Sequence, residues 1–188
     1  MSEPIKYLTD THHKMAIALS LMDGEINNFR SGETLDYFLI SSILDYMTRS
    51  TQLDHHEVED EIYRQICLAA PDVAASIADI RVDHEKLVFL CDALKEALRN
   101  VEMDNELPRM WLVSVAREYL TAQRRHMQTE ENSLFPAALE VLGKADWDRI
   151  SAQMAQSRES DRARAERTEI DDLGTDILGW KTDHICPS

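Results

Sequence analysis

The sequence predicts an all-α protein: an antiparallel up-down-up-down four-helix bundle, followed by a short fifth helix and a C-terminal tail. Ala, Leu, Glu, Asp, Arg and Met are abundant among the 188 residues, and glycine and proline number only 5 each. This composition favours long helices. Over four long segments, apolar residues recur at alternating spacings of three and four, which is typical of a helix face packed in a bundle. The short connections between these segments favour antiparallel neighbours.

The first two predicted helices cover about residues 5–29 and 34–69. In the first, the inward positions are apolar with the single exception of His12, and a polar Ser-Gly-Glu sequence ends the helix. In the second, the polar stretch 49–54 predicts a kink or short break. Pro71 follows its end, as expected because proline continues a helix poorly.

The third and fourth predicted helices cover about residues 73–104 and 107–142. His84 is the one polar residue on the inward face of the third. His126 takes an inward position on the fourth, which Gly143 is suited to end. Three of the four helices therefore place a histidine where an apolar residue is expected.

The remainder of the chain begins with a short predicted helix over about residues 146–157. Residues 158–169 alternate in charge and contain almost nothing apolar, which is typical of a solvated helix or a disordered linker. We therefore divide the chain into a bundle at 1–157 and a charged linker with a C-terminal tail at 158–188.

Charge and cysteine content exclude several classes of function. The net charge of −15 argues against binding to a nucleic acid or to an anionic membrane surface. No apolar stretch of about 18 residues is present, so no membrane-spanning helix is expected. The three cysteines include no Cys-x-x-Cys pair, which disfavours a zinc ribbon or a disulfide framework and favours a cytoplasmic location.

The inward histidines are His12, His55, His84 and His126. In an antiparallel pair of helices, residues equally far from the connecting turn lie side by side. Counted from turns near residues 32, 70 and 105, neighbouring histidines differ by at most three residues. We therefore expect one histidine from each helix in a single layer. His13 should point away to the surface.

Two carboxylates complete this layer. Glu59 follows His55 by four residues, and Glu130 follows His126 by four, so each pair shares one helix face. Buried carboxylates are costly without a compensating charge, which a divalent cation supplies. Imidazole with carboxylate suits iron, manganese or zinc. Four histidines and two glutamates exceed one ordinary site and suit two metals bridged by the carboxylates.

An alternative register would turn His56 and Asp60 inward, since they have the same spacing. We prefer His55 with Glu59 because Ile62 continues that face. In the preferred register, His56 and Asp60 belong to a solvated face.

Three residues lie near the predicted layer without belonging to it. We expect Glu131 to be an acid outside the ligand set or on the surface. Cys91 is expected to be a small core residue. Tyr119 is expected to line a pocket, either as packing or as a hydrogen-bond donor to a bound ligand. In the tail, His184 with Cys186 is interpreted as disordered rather than as a metal site.

Four motifs in this order resemble the hemerythrin-like, or HHE cation-binding, domains. HMQTEENSLFP at 126–136 resembles the family signature H-x-x-x-E-E-x-x-L-F-P, and HHEVED at 55–60 resembles its other half. THHKM at 11–15 and DHEKL at 83–87 match the two single-histidine helices. The resemblance covers about residues 5–157.

The resemblance implies a pair of iron ions with an oxo or hydroxo bridge, and manganese or zinc as alternatives. Oxygen-carrying relatives have a second histidine four residues after the one on the third helix, where this chain has Val88. It therefore resembles the six-ligand bacterial relatives associated with nitrosative stress and iron–sulfur repair, which argues against reversible oxygen transport. The ligands that it implies are His12, His55, Glu59, His84, His126 and Glu130, with the two glutamates bridging.

The leading hypothesis is a non-haem di-iron protein that binds, and in one version reduces, O₂, NO or peroxide. The alternatives are a metal-dependent or redox-dependent sensor or adaptor that binds a protein partner through residues 158–188, or a protein for iron storage or delivery. The identity of the small ligand, catalytic turnover and oligomeric state stay open.

Overall fold

The computed structural model describes residues 2–51, 55–77, 79–103, 108–159 and 161–184, and this described part is helical without a strand. The all-α prediction is confirmed. None of the described helices combines the length and the apolar character needed to cross a membrane. The helices are α1 (Glu3–Arg30), α2 (Tyr37–Ser50), α3 (His56–Ala69), α4 (Pro71–Ala74), α5 (Ile80–Glu102), α6 (Arg109–Thr129), α7 (Phe135–Val141), α8 (Lys144–Arg158) and α9 (Asp161–His184), with a π-helical turn over Glu130–Leu134.

Local capping explains where several helices begin and end. Asp36 accepts a hydrogen bond from the backbone N–H of Leu39 at 2.9 Å and starts α2, as expected for an N-cap aspartate. Pro4 lies in the first turn of α1, where its missing N–H costs nothing. Gly32, just past the end of α1, has a φ of 109°, a conformation that glycine adopts without steric strain.

The third helix begins later than predicted. Residues 71–74 form the short α4, and α5 begins only at Ile80. The side chain of Asp79 accepts a hydrogen bond from the backbone N–H of Arg81. Such a cap starts a new helix even where the apolar spacing runs on without interruption. Ile77 is nevertheless buried, in the turn before α5. The predicted end of this helix near residues 104–105 lies outside the described residues.

In the described residues, the α-helical geometry of the second predicted helix stops and resumes at the polar stretch 49–54, where the sequence indicated a kink or short break. α2 ends at Ser50 and α3 begins at His56. Residues 52–54 lie outside the described part. The fourth predicted helix is interrupted by the π-helical turn, which the apolar spacing did not predict, and α7 ends at Val141.

The helices form a bundle. α1 packs against α2 and α6, and α5 packs against the same two helices, so these four form a closed ring. α3 packs against α5, α7 and α8. The up-down-up-down direction of the chain through this bundle stays a prediction.

Two apolar clusters lie on either side of one polar layer. Along α1, Leu8 belongs to one cluster and Met15 to the other, with His12 between them. The first core is the cluster that includes Met15, Leu19, Leu44, Leu94 and Leu112. The second core is the cluster that includes Ile5, Leu8, Ile62, Ile80 and Leu134. A polar layer between two apolar cores is shielded from water on both sides.

The C-terminal segment forms a long helix from residue 161. The charge pattern of residues 158–169 allowed a solvated helix or a disordered linker, and the structure has the helix. α9 packs against α1 and α2, with Ile170 and Ile177 buried in the first core. A Cβ atom added at Gly174 would lie 3.0 Å from the ring of Tyr46, so glycine permits this close approach. The domain boundary at 157 stays a prediction. The side chain of His184 and all of Cys186 lie outside the described residues.

The substitution Ile177→Ala should weaken the docking of α9. Removing a buried isoleucine side chain costs about 2–5 kcal/mol, and Ile177 is 2% exposed. Hydrogen exchange should rise throughout α9 and remain slow in α5 and α6. Thr175→Ala, on the exposed face of the same helix, is the matched control. A loss of protection spread evenly over the whole chain would contradict separate detachment of α9.

Candidate metal centre

The structure brings the six predicted ligands together in the layer between the two cores. Helices from four parts of the chain supply them. His55 immediately precedes α3, and Glu130 is the first residue of the π-helical turn. None of the six is more than 7% exposed. They are His12, His55, Glu59, His84, His126 and Glu130.

The first histidine group consists of His12 and His55. Their Nε2 atoms lie 3.1 Å apart. Oε1 of Glu59 is 2.9 Å from Nε2 of His55 and 3.4 Å from Nε2 of His12. Oε2 of Glu130 is also 3.4 Å from Nε2 of His12. One oxygen of each glutamate therefore faces the first histidine group.

The second histidine group consists of His84 and His126. Oε2 of Glu59 lies 3.4 Å from Nε2 of His84. Oε1 of Glu130 lies 3.1 Å from Nε2 of His126 and 3.7 Å from Nε2 of His84. The remaining oxygen of each glutamate therefore faces the second group, so both carboxylates lie between the two groups.

The spacing of these atoms suits shared cations. Donors that bind one ion at about 2.1 Å lie about 3.0 Å apart in octahedral geometry and about 3.4 Å apart in tetrahedral geometry. Most of the distances within each group fall in or near that range. Imidazole nitrogen with carboxylate oxygen is the donor set of iron, manganese and zinc sites.

Six of the inward-facing donor atoms of the layer lack hydrogen-bond partners. Both carboxylate oxygens of Glu59 and of Glu130 are buried without one, and so is Nε2 of His84 and of His126. Away from the layer, the buried amide of Gln65 is paired, since it donates a hydrogen bond to Glu61 at 2.7 Å. Because unpaired buried polar groups are rare and costly, the layer fits a bound metal.

The two carboxylates differ in their pKa values. Burial raises the pKa of Glu130 to about 8, and the nearby charge of Glu59 adds to this. Burial acts in the same direction on Glu59, but His55, His12 and His84 outweigh it and hold the pKa of Glu59 well below its usual value. Two carboxylates in one dry layer resist ionising together, and cations between them would remove that conflict.

The histidines of the second group also differ. Burial lowers the pKa of His126 to about 3, so its ring is neutral at physiological pH. Burial has the same effect on His84, but Asp60, Glu130 and Glu59 outweigh it and raise the pKa of His84 to about 11. Without a metal, His84 therefore holds a proton in this layer. Protons and a cation compete for the same nitrogen and oxygen atoms.

Two acids contact the outer nitrogen atoms of ligand histidines. Nδ1–H of His12 donates a hydrogen bond to Oε1 of Glu131 at 3.0 Å. Oδ1 of Asp60 lies 3.2 Å from Nδ1 of His84. An acid at Nδ1 leaves Nε2 directed inward with its lone pair free for a metal. Glu131 thus has the position outside the ligand set that the sequence indicated. The side chain of Asp60 is 43% exposed, as expected for the solvated face, and it also contacts His84.

The substitution Glu131→Gln should weaken metal binding without unfolding the bundle. Loss of a carboxylate behind a ligand histidine typically costs about 10–100-fold in metal affinity. Competition with a calibrated chelator measures that change. Glu85→Gln, at an exposed position next to His84, is the control and should bind metal as the unchanged protein does. Equal affinities for the two variants would contradict this role of Glu131.

His56 is not on the solvated face where the sequence placed it. Its ring stacks on the ring of His84, with centroids 3.7 Å apart and planes 8° apart. Burial, together with the charge of His84, lowers its pKa to about 2, so the ring is neutral. Helical spacing predicted an exposed side chain at His56. The prediction failed because α3 begins at this residue and packs against α5, α7 and α8. His13, in contrast, is exposed as predicted.

A cavity of about 70 Å³ adjoins the layer at His56. Tyr119 and Cys91 are both buried and line it, which confirms the prediction that Tyr119 lines a pocket. Thr48, Val88 and further residues complete its walls: Met47, Thr51, Leu87, Asp92 and Gln123.

Comparison with protein families identifies the fold to which this centre belongs. The model of the hemerythrin HHE cation-binding domain matches residues 3–138. The chain belongs to the hemerythrin HHE family. The matched region contains all six predicted ligands, and α8 and α9 lie beyond it. Comparisons with curated proteins and with solved structures found no match.

Family membership and the buried histidine–glutamate cluster together make this hemerythrin-like chain a metal-binding protein. His56 is the residue at this centre that sequence reasoning missed. Its sequence signal was the alternative register, in which His56 and Asp60 turn inward, and the preferred register placed it outside. That each of the six buried residues is a ligand stays a prediction.

Proposed function

We propose that this hemerythrin-like protein holds two iron ions and uses them to bind and reduce a small oxidant such as O₂, NO or peroxide. The observation that carries this proposal is the position of the two carboxylates. Each presents one oxygen to the first histidine group and the other oxygen to the second. This arrangement is expected of carboxylates that bridge a pair of cations in a helix bundle.

In this proposal, the chain supplies the metal ligands, holds them in a fixed orientation and excludes water from the space around them. An iron pair, when bound, supplies the electrons that reduce an oxidant. The first and second cores exclude water from the layer on both sides, which strengthens electrostatic interactions inside it. Glu131 fixes the ring of His12 through its outer nitrogen, so that the inward nitrogen keeps a constant direction.

The adjoining cavity supports a small oxidant rather than a larger substrate. Its volume is about 70 Å³, whereas a cavity of about 10–15 Å³ on the same measure already holds one water molecule. A diatomic molecule or a peroxide fits that space. Tyr119 lies in its wall, and burial raises the pKa of this phenol well above its usual value. The hydroxyl group therefore stays protonated and able to donate a hydrogen bond.

Metal analysis of protein purified without a histidine tag tests the proposal. After anaerobic reconstitution, we expect about two irons per chain, because the layer has two histidine groups joined by two carboxylates. Exposure to air should then produce the absorption bands of an oxo-bridged diferric pair. Reconstitution with manganese or zinc, the other metals that suit these donors, provides the comparison. A saturating stoichiometry of one iron or less would overturn the proposal.

A sensor or adaptor is the second candidate function, and one contact favours it. Lys14, two residues after His12 on α1, lies 3.1 Å from Asp171 of α9. A change in the layer could reach α9 through this pair and so alter the capture of a protein partner. Deleting residues 161–188 should then abolish partner capture and leave the iron spectrum intact. Partner capture that persists in the truncated protein would exclude α9 as the route.

A further inference from the structure

Helix geometry places Glu59 between two histidines rather than beside one. Successive residues of an α-helix are separated by about 100°, so Glu59 lies about 40° from His55 and about 60° from His56 on the opposite side. His55, on one side of the carboxylate, contacts His12 of the first histidine group. The ring of His56, on the other side, should therefore approach the second group.

The contacts of His56 agree with that direction. Its ring stacks on His84 with centroids 3.7 Å apart, and it meets the ring of His126 edge-on at 6.0 Å. One ring nitrogen of His56 lies within 4.8 Å of donor atoms of Glu59, His84 and His126. His84 and His126 form the second group, and Glu59 presents one oxygen to it.

The Nε2 atom of His56 has no other assignment. It is buried and has no hydrogen-bond partner, although a buried imidazole nitrogen is ordinarily paired. On α5, the residue one turn after His84 is Val88, which carries no donor atom. Val88 and His56 line the same cavity beside the second group. His56 thus offers an unpaired nitrogen donor beside Val88, a position at which α5 carries no donor atom.

We propose that His56 is a further metal ligand, the third histidine of the cation held by the second histidine group. The inference rests on the proposed function, because it requires a cation at that position. With His56 bound, the second cation has three histidine nitrogens and two carboxylate oxygens. The first cation has two histidine nitrogens and two carboxylate oxygens.

The competing explanation is that His56 only packs its ring against His84. His56→Phe separates the two roles, because phenylalanine keeps an aromatic ring and removes both nitrogen atoms. His13→Phe is the matched control, since His13 neighbours His12 but is exposed. Both variants and the unchanged protein are reconstituted anaerobically with ferrous iron. Iron per chain and the rate of iron loss to ferrozine are then measured.

We expect the unchanged protein and His13→Phe to hold about two irons, and His56→Phe to hold one tightly. The second iron should bind at least about 10–100-fold more weakly in His56→Phe, since loss of a ligand costs no less than loss of the group behind it. Added imidazole should restore the second iron in His56→Gly, with circular dichroism confirming that the helices are intact. A structural role alone would give no such rescue.

Two results would overturn the inference, and they are distinguishable. If His56→Phe holds both irons as firmly as His13→Phe does, His56 is a packing residue and the di-iron proposal stands. If the unchanged protein binds no second iron, the proposed function fails and this inference fails with it. Should His56→Phe not fold, His56→Gly decides: absence of rescue by imidazole contradicts ligation.

Discussion

Glu59→Gln is expected to abolish the metal pair. Glu59 is fully buried and presents one oxygen to each histidine group. An amide offers one neutral oxygen in place of two charged ones, so it can neither bridge nor balance cationic charge. Both cations lose a ligand at once. We expect iron per chain to fall from about two to less than one, and affinity to fall by at least about 100-fold.

Glu57→Gln is the matched control for this substitution, because Glu57 lies on α3 two residues earlier and is exposed. It removes the same charge from the same helix and should leave iron content unchanged. Circular dichroism should show equal helix content for both variants, since Gln is as good a helix former as Glu. Two irons retained in Glu59→Gln would exclude a bridging role for this carboxylate.

Removing the metal is expected to cause a large loss of stability. A ligand that binds only the folded state at a concentration 1,000-fold above its dissociation constant stabilises that state by about 4 kcal/mol. For a chain of this length, that corresponds to a shift of about 8–16 °C in the unfolding midpoint. Thermal unfolding with iron, and after anaerobic chelation, measures the shift. Hydrogen exchange should rise most at the start of α3 and in the π-helical turn.

The metal-dependent part of the stability should shrink as the pH falls, because protons compete with the cations for histidine nitrogens and carboxylate oxygens. Glu59→Gln serves as the control again, and chelation should leave its midpoint nearly unchanged. Equal midpoints for the iron-loaded and the chelated forms of the unchanged protein would contradict the expectation that the layer needs cations to balance its charges.

Much of the fold and of the site could be predicted because the buried positions of a helix recur at regular intervals along the sequence. An apolar residue every three or four positions reports which face of a helix is inside. A histidine at such a position in α1, such as His12, is therefore recognisable as an inward polar residue. Equal distance from the turns then brought His84 and His126 to the same level. Glu59 and Glu130 followed from a spacing of four residues on a helix face.

Local interactions that do not alter the apolar pattern could not be predicted in this way. Asp79 starts α5 through its side chain, yet the spacing before it continues through Ile77. The π-helical turn at Glu130 inserts a wider turn into a run of otherwise helical residues. α9 has too few apolar residues to reveal where it docks, and the neighbouring faces of α1 and α2 decide that.

The sequence by itself determined the class of fold, the four inward histidines and the two carboxylates, because these depend on helical phase and on distance along the chain. Only the tertiary structure decided which oxygen of each carboxylate faces which histidine group, and only it placed His56 inside. The reason is physical, because the part of a helix surface that is buried depends on how many neighbouring helices cover it. At His56, α3 packs against α5, and the ring of His56 stacks on the ring of His84.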